Sequence, residues 1–547
     1  MMSLRNTVSL LFASVALVVS IGCGSSNSPV APPSGAFGNN SLNGSYVFSF
    51  AGQDLGNNDE SFFAVLGTLT ANGSGRFTGG TIDVNDPALG SALQTGYTFN
   101  RVPASGSYSI TTDGRGSGTI SATLNGRQVS FGLDFVLTSG SHGLITRFDE
   151  NGSGSGTIDL QASNVAQSVL QGSYAFGLDG ADSTVVNSLA TVGAFTLDTN
   201  GNVTAGTQDF GDNGNSRGLR ALSVRGSVLA GSPGSAQLTT DALGTLQFDV
   251  FVIDQTHLKL IETDSKSYLE GDAFVSTGET AFPSGPLVFT LAGEDAVQAP
   301  FAAGGLLTSD GSSQITGGLE DINDDGYVQQ GSGVQGNFTS NGARTVVTLN
   351  GIYNGAVGNN SLGVGAYTFA AYPYQGGAMM LEIDNGGGSS TGISGGNLYA
   401  QSATTLAASQ GYGLNLSGSN RNGEADWIAQ FTTSGSELNG LYDANNFGYL
   451  ASDLSLGNAS YSVGSNGRGT VSFPGLQTNG NTFISALDLA FYVVDTSTAV
   501  FIETDGGQVA TGVFQLQTSS GGSSSAQTRS AFMHPVSHRG TAPQFRK

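Results

Sequence analysis

Apolar residues fall at every second place through Leu42-Asn-Gly-Ser-Tyr46-Val-Phe48-Ser-Phe50-Ala-Gly52. That period marks a strand with one buried face. The opening returns at Leu170-Gln-Gly-Ser-Tyr174-Ala-Phe176, at Gly285-Pro-Leu287-Val-Phe289 and at Tyr412-Gly-Leu414-Asn-Leu416. A second signature follows each opening: Gly80-Thr-Ile-Asp83, Gly206-Thr-Gln-Asp209, Gly318-Leu-Glu-Asp321 and Gly440-Leu-Tyr-Asp443. Turn dipeptides precede it, such as Asn72-Gly73, Asn200-Gly201 and Asp310-Gly311, which supply the positive φ angles of tight hairpins. A third signature closes the units as Glu262-Thr-Asp264, Glu382-Ile-Asp384 and Glu503-Thr-Asp505, with Arg147-Phe-Asp149 as the variant. The repeat predicts four β units at 42–161, 170–276, 285–401 and 410–517. Each is long enough to bury its own core, and the gaps between them have linker composition. Short strand-like runs with turns between them and no helical period predict an all-β chain of four tandem small antiparallel β-barrel or β-sandwich units, read as separate beads.

The Gly-x-Tyr opening followed by sequential hairpins resembles the small up-and-down ligand-binding barrels of the lipocalin and avidin groups. Over most of 42–517 the chain also resembles soil-bacterial lipoproteins built from tandem LNGSYxF units, a likeness that implies no particular activity.

Thr7 to Gly22 is an uncharged, mostly apolar run of 16 residues behind Arg5. It is short for a membrane span and suits a signal-peptide core. It ends at Ser20-Ile21-Gly22-Cys23, which resembles the lipobox of bacterial lipoproteins, with Ser20 where that family usually has Leu. The resemblance implies a signal peptide at 1–22 and a lipidated Cys23 holding the protein to the membrane. Several acyl chains on one residue make a stable anchor. Gly24 after the cysteine implies the outer membrane by that family's sorting rule. Residues 23–41, rich in Gly, Ser, Pro and Asn, read as a flexible tether. Residues 518–547 carry Arg529, Arg539, Arg546 and Lys547 without an acid and read as a disordered basic tail.

Composition narrows the function. The 547 residues hold 18 Lys and Arg against 41 Asp and Glu, a net charge of −23, which excludes broad contact with nucleic-acid phosphates. One Cys excludes an intrachain disulfide framework. The sharpest local motif is Asp321-Ile-Asn323-Asp-Asp325-Gly326, the first half of a calcium loop, with Ser332 where the bidentate Glu would stand. Asp321, Asn323 and Asp325 are therefore the candidate ligands for a weak calcium site, set against ordinary Asx turns. The Glu-x-Asp pairs read as strand ends. His142 and His257, which share a repeat position, read as residues of surface hairpin tips, and no catalytic set is evident.

Together these features point to a membrane-anchored, non-enzymatic envelope lipoprotein acting as an interaction, adhesion or spacer array. A small-molecule or glycan-binding protein with a pocket in each unit is the alternative. An enzyme acting on envelope polysaccharide comes third. The expected partners are the membrane and an envelope or extracellular glycan or protein.

Overall fold

A computed structural model describes residues 37–518, apart from 56–59, 94–95, 164, 186, 213–217, 277–281, 296–297, 354–363, 384–391, 421–422, 458, 474–475, 479–480 and 485. The stretches read as signal peptide and basic tail, Cys23 and most of the expected tether lie outside the described residues.

Each unit is a closed up-and-down barrel of eight antiparallel strands. In barrel 1 they are Asn43–Leu55, Glu60–Asn72, Arg76–Asn85, Thr98–Ile110, Arg115–Leu124, Arg127–Leu137, His142–Arg147 and Gly152–Leu160. The first pairs with the last from Tyr46↔Leu160 to Asp54↔Gly152, which closes the cylinder and settles barrel over sandwich. Barrels 2, 3 and 4 have their strands within 172–276, 285–400 and 411–516. Their fourth strand is split, and its first piece (Leu219–Ser223, Tyr327–Gly333 or Tyr449–Ser455) pairs only with the third strand, as a flap. The first half of Thr98–Ile110 does the same in barrel 1, where the register against the third strand shifts.

The interiors are filled by the alternating residues seen in the sequence. Phe48, Phe50, Phe63, Phe131 and Phe135 pack inside barrel 1, and Phe289, Phe301, Phe338 and Phe369 inside barrel 3. Glycine gives the rings room: a Cβ on Gly193 would stand 2.4 Å from Phe176, and one on Gly469 would stand 2.2 Å from Phe491. The repeat tyrosine plugs one end. Buried Tyr46, Tyr174 and Tyr412 donate to the carbonyls of Gly140, Gln255 and Thr496 at 2.7, 2.8 and 3.1 Å. This apolar inside is the reverse of a transmembrane barrel, which carries its apolar band outside. No helix among the described residues is long and apolar enough to cross a membrane.

The barrels are not separate beads. The first and second strands of each pack on the sixth, seventh and eighth strands of the next, and barrel 4 packs in the same way on barrel 1. Eight strands around a barrel stand about 45° apart, so these two faces diverge by roughly 90–110°. A head-to-tail contact closes into a ring of four when that angle is about 90°. Apolar side chains pointing out of the barrels fill the seams. Val47, Phe62 and Leu66 meet Phe251 and Ile261 between barrels 1 and 2. Val192 meets Tyr372 and Leu381 between 2 and 3, while Val288, Ala302, Tyr492 and Ile502 join 3 to 4. Val136 and Leu144 join Ile428 and Val513 between 4 and 1. The linker-like gap before barrel 4 folds onto it, with the Ser402 and Ala407 amides donating to the Val494 and Thr496 carbonyls.

Candidate functional site

The polar side chains that recur in the repeat meet at the seams. Asp209 of barrel 2 accepts two bonds from Arg344 of barrel 3 (2.7 and 2.7 Å) and one from Tyr372 (2.5 Å). Asp321 of barrel 3 accepts the same three from Arg468 (2.7 and 2.6 Å) and Tyr492 (2.5 Å) of barrel 4. Asp443 of barrel 4 stands 3.5 Å from Arg115 of barrel 1. That seam keeps the Arg but has Val136 at the Tyr position, and the seam between 1 and 2 departs further. Pro233 and Phe251 replace the Arg and Tyr there, and Arg101 of barrel 1 reaches across to Asp249 (2.7 and 2.8 Å) and the Gly234 carbonyl. Burial first, then the neighbouring Asp249 charge, pushes Asp83 up to about 8.

The same aspartates hold the flaps. Asp83, Asp209, Asp321 and Asp443 accept backbone N–H bonds from Arg101, Ala221, Gly331 and Asp453. Those four flap residues have φ of 55°, 50°, 64° and 54°, a left-handed bulge that three non-glycine residues adopt.

Two residues beyond three of these aspartates, an asparagine crosses the seam. Asn323 donates to the carbonyls of Glu503, Asp505 and Gln508 at 3.1, 3.1 and 2.8 Å. Asn445 does so to Arg147, Asp149 and Gly152 at 2.9, 3.4 and 2.7 Å, and Asn85 to Glu262 at 3.0 Å. Barrel 2 has Gly211 here, against Ile393 of barrel 3. A residue after the eighth strand adds a further link. Gln161, Ser276, Gln401 and Gln517 donate to the carbonyls of Val252, Pro373, Val493 and Leu137 in the next barrel.

These contacts revise the reading of the calcium-type motif. Asp321 and Asn323 face barrel 4, engaged as described, while Ile322 between them is in the barrel 3 core. Asp325 lies in the turn that follows, at φ 49°. The motif's alternation therefore carries two of its three candidate ligands, Asp321 and Asn323, across a seam. Among the described residues no group of three His, Cys, Asp or Glu side chains is placed to hold a metal ion.

The histidines are also not at surface tips. Both are buried, at the start of the seventh strand. His142 Nδ1 stands 2.6 Å from Asp159 Oδ1 and Nε2 stands 2.8 Å from Gln515 Oε1 of barrel 4, an arrangement suited to an imidazolium donating from both nitrogens. Burial works against that charge, but Asp159 outweighs it and the His142 pKa is raised. Burial would raise Asp159 too, yet His142, with Lys259 and His257 of barrel 2, holds it at about 2. Lys259 and His257 in turn stand 3.0 and 2.8 Å from buried Asp272. The Glu-x-Asp residues Glu262 and Glu503 end the seventh strands, and Trp427 is stacked at 4.8 Å on Tyr442 inside barrel 4.

Sequence reasoning passed over Arg115, Arg344 and Arg468. Their signal was present: in a chain with 18 basic residues, three arginines share one repeat position.

Two clefts open at the seams. One, of about 900 Å³ between barrels 1 and 2, is lined without charge by residues such as Leu160, Gln161, Val165, Gln167 and Ser232. The other, of about 320 Å³, lies between the flap of barrel 3 and the outer wall of barrel 4.

No family model matches the sequence, and no curated protein matches it. Among solved structures, two mutant forms of the vaccine antigen transferrin-binding protein B from Haemophilus parasuis are similar. They align over 74% of this chain and 84% and 82% of theirs, at 8% and 9% identity and TM-scores of 0.19 and 0.20. At such scores the likeness carries no weight for fold or function.

Proposed function

We propose that the chain is a lipid-tethered, non-catalytic binding protein of the bacterial envelope, whose four barrels form one preassembled head. The observation that carries this reading is where the chemistry goes. Repeated Asp, Arg, Asn and Gln residues join barrel to barrel, and the barrel interiors are filled with aromatic side chains. A partner is therefore left the outer walls and the seam clefts, which disfavours a pocket inside each barrel. A ring of four is also short, so presentation of surfaces fits better than a long spacer.

The described body begins and ends at one place. Phe37 and Gln517 both lie against Gly114 at the seam between barrels 4 and 1. Labelled palmitate should enter the wild-type protein and not Cys23→Ser, and protease treatment of intact cells reports which membrane face carries the head. Palmitate-free wild-type protein would overturn the anchor.

A further inference from the structure

We infer that the cleft between the barrel 3 flap and the barrel 4 wall is a binding site for a neutral sugar ring, which deepens the binding reading above by naming a ligand class. The wall is built from the outward faces of three adjacent strands, Ala459–Val463, Arg468–Phe473 and Leu487–Asp495. Register places Ser460 opposite Ser472, and Ser472 opposite Asp488, in one cross-strand row. In the next row Ser462 and Thr470 share a 3.2 Å hydroxyl contact. Facing residues in such rows stand about 4.5–5.5 Å apart, so a neighbouring pair such as Ser472 and Asp488 matches the width of one pyranose ring.

The facing side of the cleft is held in place rather than loose. Gln330 stands there on the flap of barrel 3. Its neighbour Gly331 donates to Asp321, and Arg468 of barrel 4 donates both to Asp321 and, at 3.3 Å, to the Gln330 side-chain oxygen. Gln330 is thereby held at the cleft from across the seam.

The chemistry selects the ligand. A carboxylate only accepts, and its two oxygens suit two neighbouring hydroxyl donors, as a vicinal diol offers. Serine and threonine hydroxyls both donate and accept, which matches the remaining sugar oxygens. Arg468 is taken up by Asp321, so Asp488 is the one charged side chain of the cleft lining, and the match to a sugar rests on the pairing of its oxygens with ring hydroxyls. A volume of about 320 Å³ sits at the small end of ligand pockets and fits one ring rather than a long chain.

The other barrels show what is special here. The same row reads Ser107, Thr119 and Gly132 in barrel 1, Ser227, Gln237 and Gln247 in barrel 2, and Asn337, Thr348 and Thr368 in barrel 3. Only barrel 4 sets a carboxylate beside two serines.

The test titrates the full chain, in a detergent without a sugar headgroup, with D-glucose, D-galactose and D-mannose, followed by saturation-transfer NMR. At least one sugar should bind, with a Kd in roughly the millimolar range. Asp488→Asn should weaken it by about tenfold or more, and Ser472→Val should weaken it as well. Thr368→Val, at the same row of barrel 3, should leave it unchanged. Asp488 meets Thr504 and Asp505 through its backbone, so Asp488→Asn should keep its melting midpoint. If that variant fails to fold, the Ser472→Val titration decides alone. The inference is overturned if none of the three sugars binds wild type, or if neither variant changes the affinity. Failure here leaves the lipid-anchored binding reading to its own palmitate test.

Discussion

Replacing Asn445 by alanine removes one amide that reaches from barrel 4 to barrel 1, between residues about 300 apart in the chain. Two of its bonds, to Arg147 and Gly152, are 2.9 and 2.7 Å long and buried. Each such bond contributes about 1 kcal/mol net, so the variant loses about 2 kcal/mol. Unfolding entropy of about 2 cal/mol/K per residue converts this to roughly 2 °C if the four barrels melt together, or about 9 °C if a single barrel melts alone. Trp427 is the only tryptophan, it sits in barrel 4, and its neighbour Asp426 bonds Ser153 and Ser155 of barrel 1. Thermal melting followed by its fluorescence therefore reads the closing seam directly. Asn323→Ala, the same staple between barrels 3 and 4, is the reference and should fall by a similar amount. If Asn323→Ala falls and Asn445→Ala does not, barrel 4 does not close on barrel 1, and the ring is wrong.

Arg468→Ala leaves the buried Asp321 carboxylate without its cation and should destabilise by about 3 kcal/mol, while adding Asp321→Asn should recover part of that; urea midpoints of the cycle check it. Stability should be greater at pH 5 than at pH 8.5. Burial raises the pKa of Asp83, Asp134, Glu262, Glu320 and Asp324 to about 8, and a raised carboxyl stabilises fully below its unfolded pKa and loses that stability as pH rises through the folded one. His142, also raised, acts in the same sense, with its contribution full below about pH 6.5. Asp159 is lowered, so its contribution is present above about pH 4 and is lost as pH falls through about 2. Equal urea midpoints at pH 5 and 8.5 would refute this. Gly469→Ala forces a methyl to 2.2 Å from Phe491 and should lower stability by about 2 kcal/mol, read as a lower melting midpoint.

The strands and their grouping into four all-β units were written locally. Alternation at Tyr46, Phe48 and Phe50 and the Asn-Gly turns act over a few residues, and a closed barrel is the way such hairpins hide their edges. Runs such as Leu489-Ala-Phe-Tyr-Val-Val494 also held a signal that both faces of a strand are covered. What covers the second face was not written there. Asp321 reads as a turn or a cation ligand until Arg468, 147 residues on, is brought against it. His142 reads as a loop residue until Gln515 arrives from the other end of the described chain. The sequence by itself determined four all-β units of antiparallel hairpins, because backbone period and turn chemistry are local, while closure into barrels rests on pairing the first strand with the last. Only the tertiary structure decided the ring, because a head-to-tail seam depends on the angle between two faces of a closed cylinder, and no short stretch of residues encodes that angle.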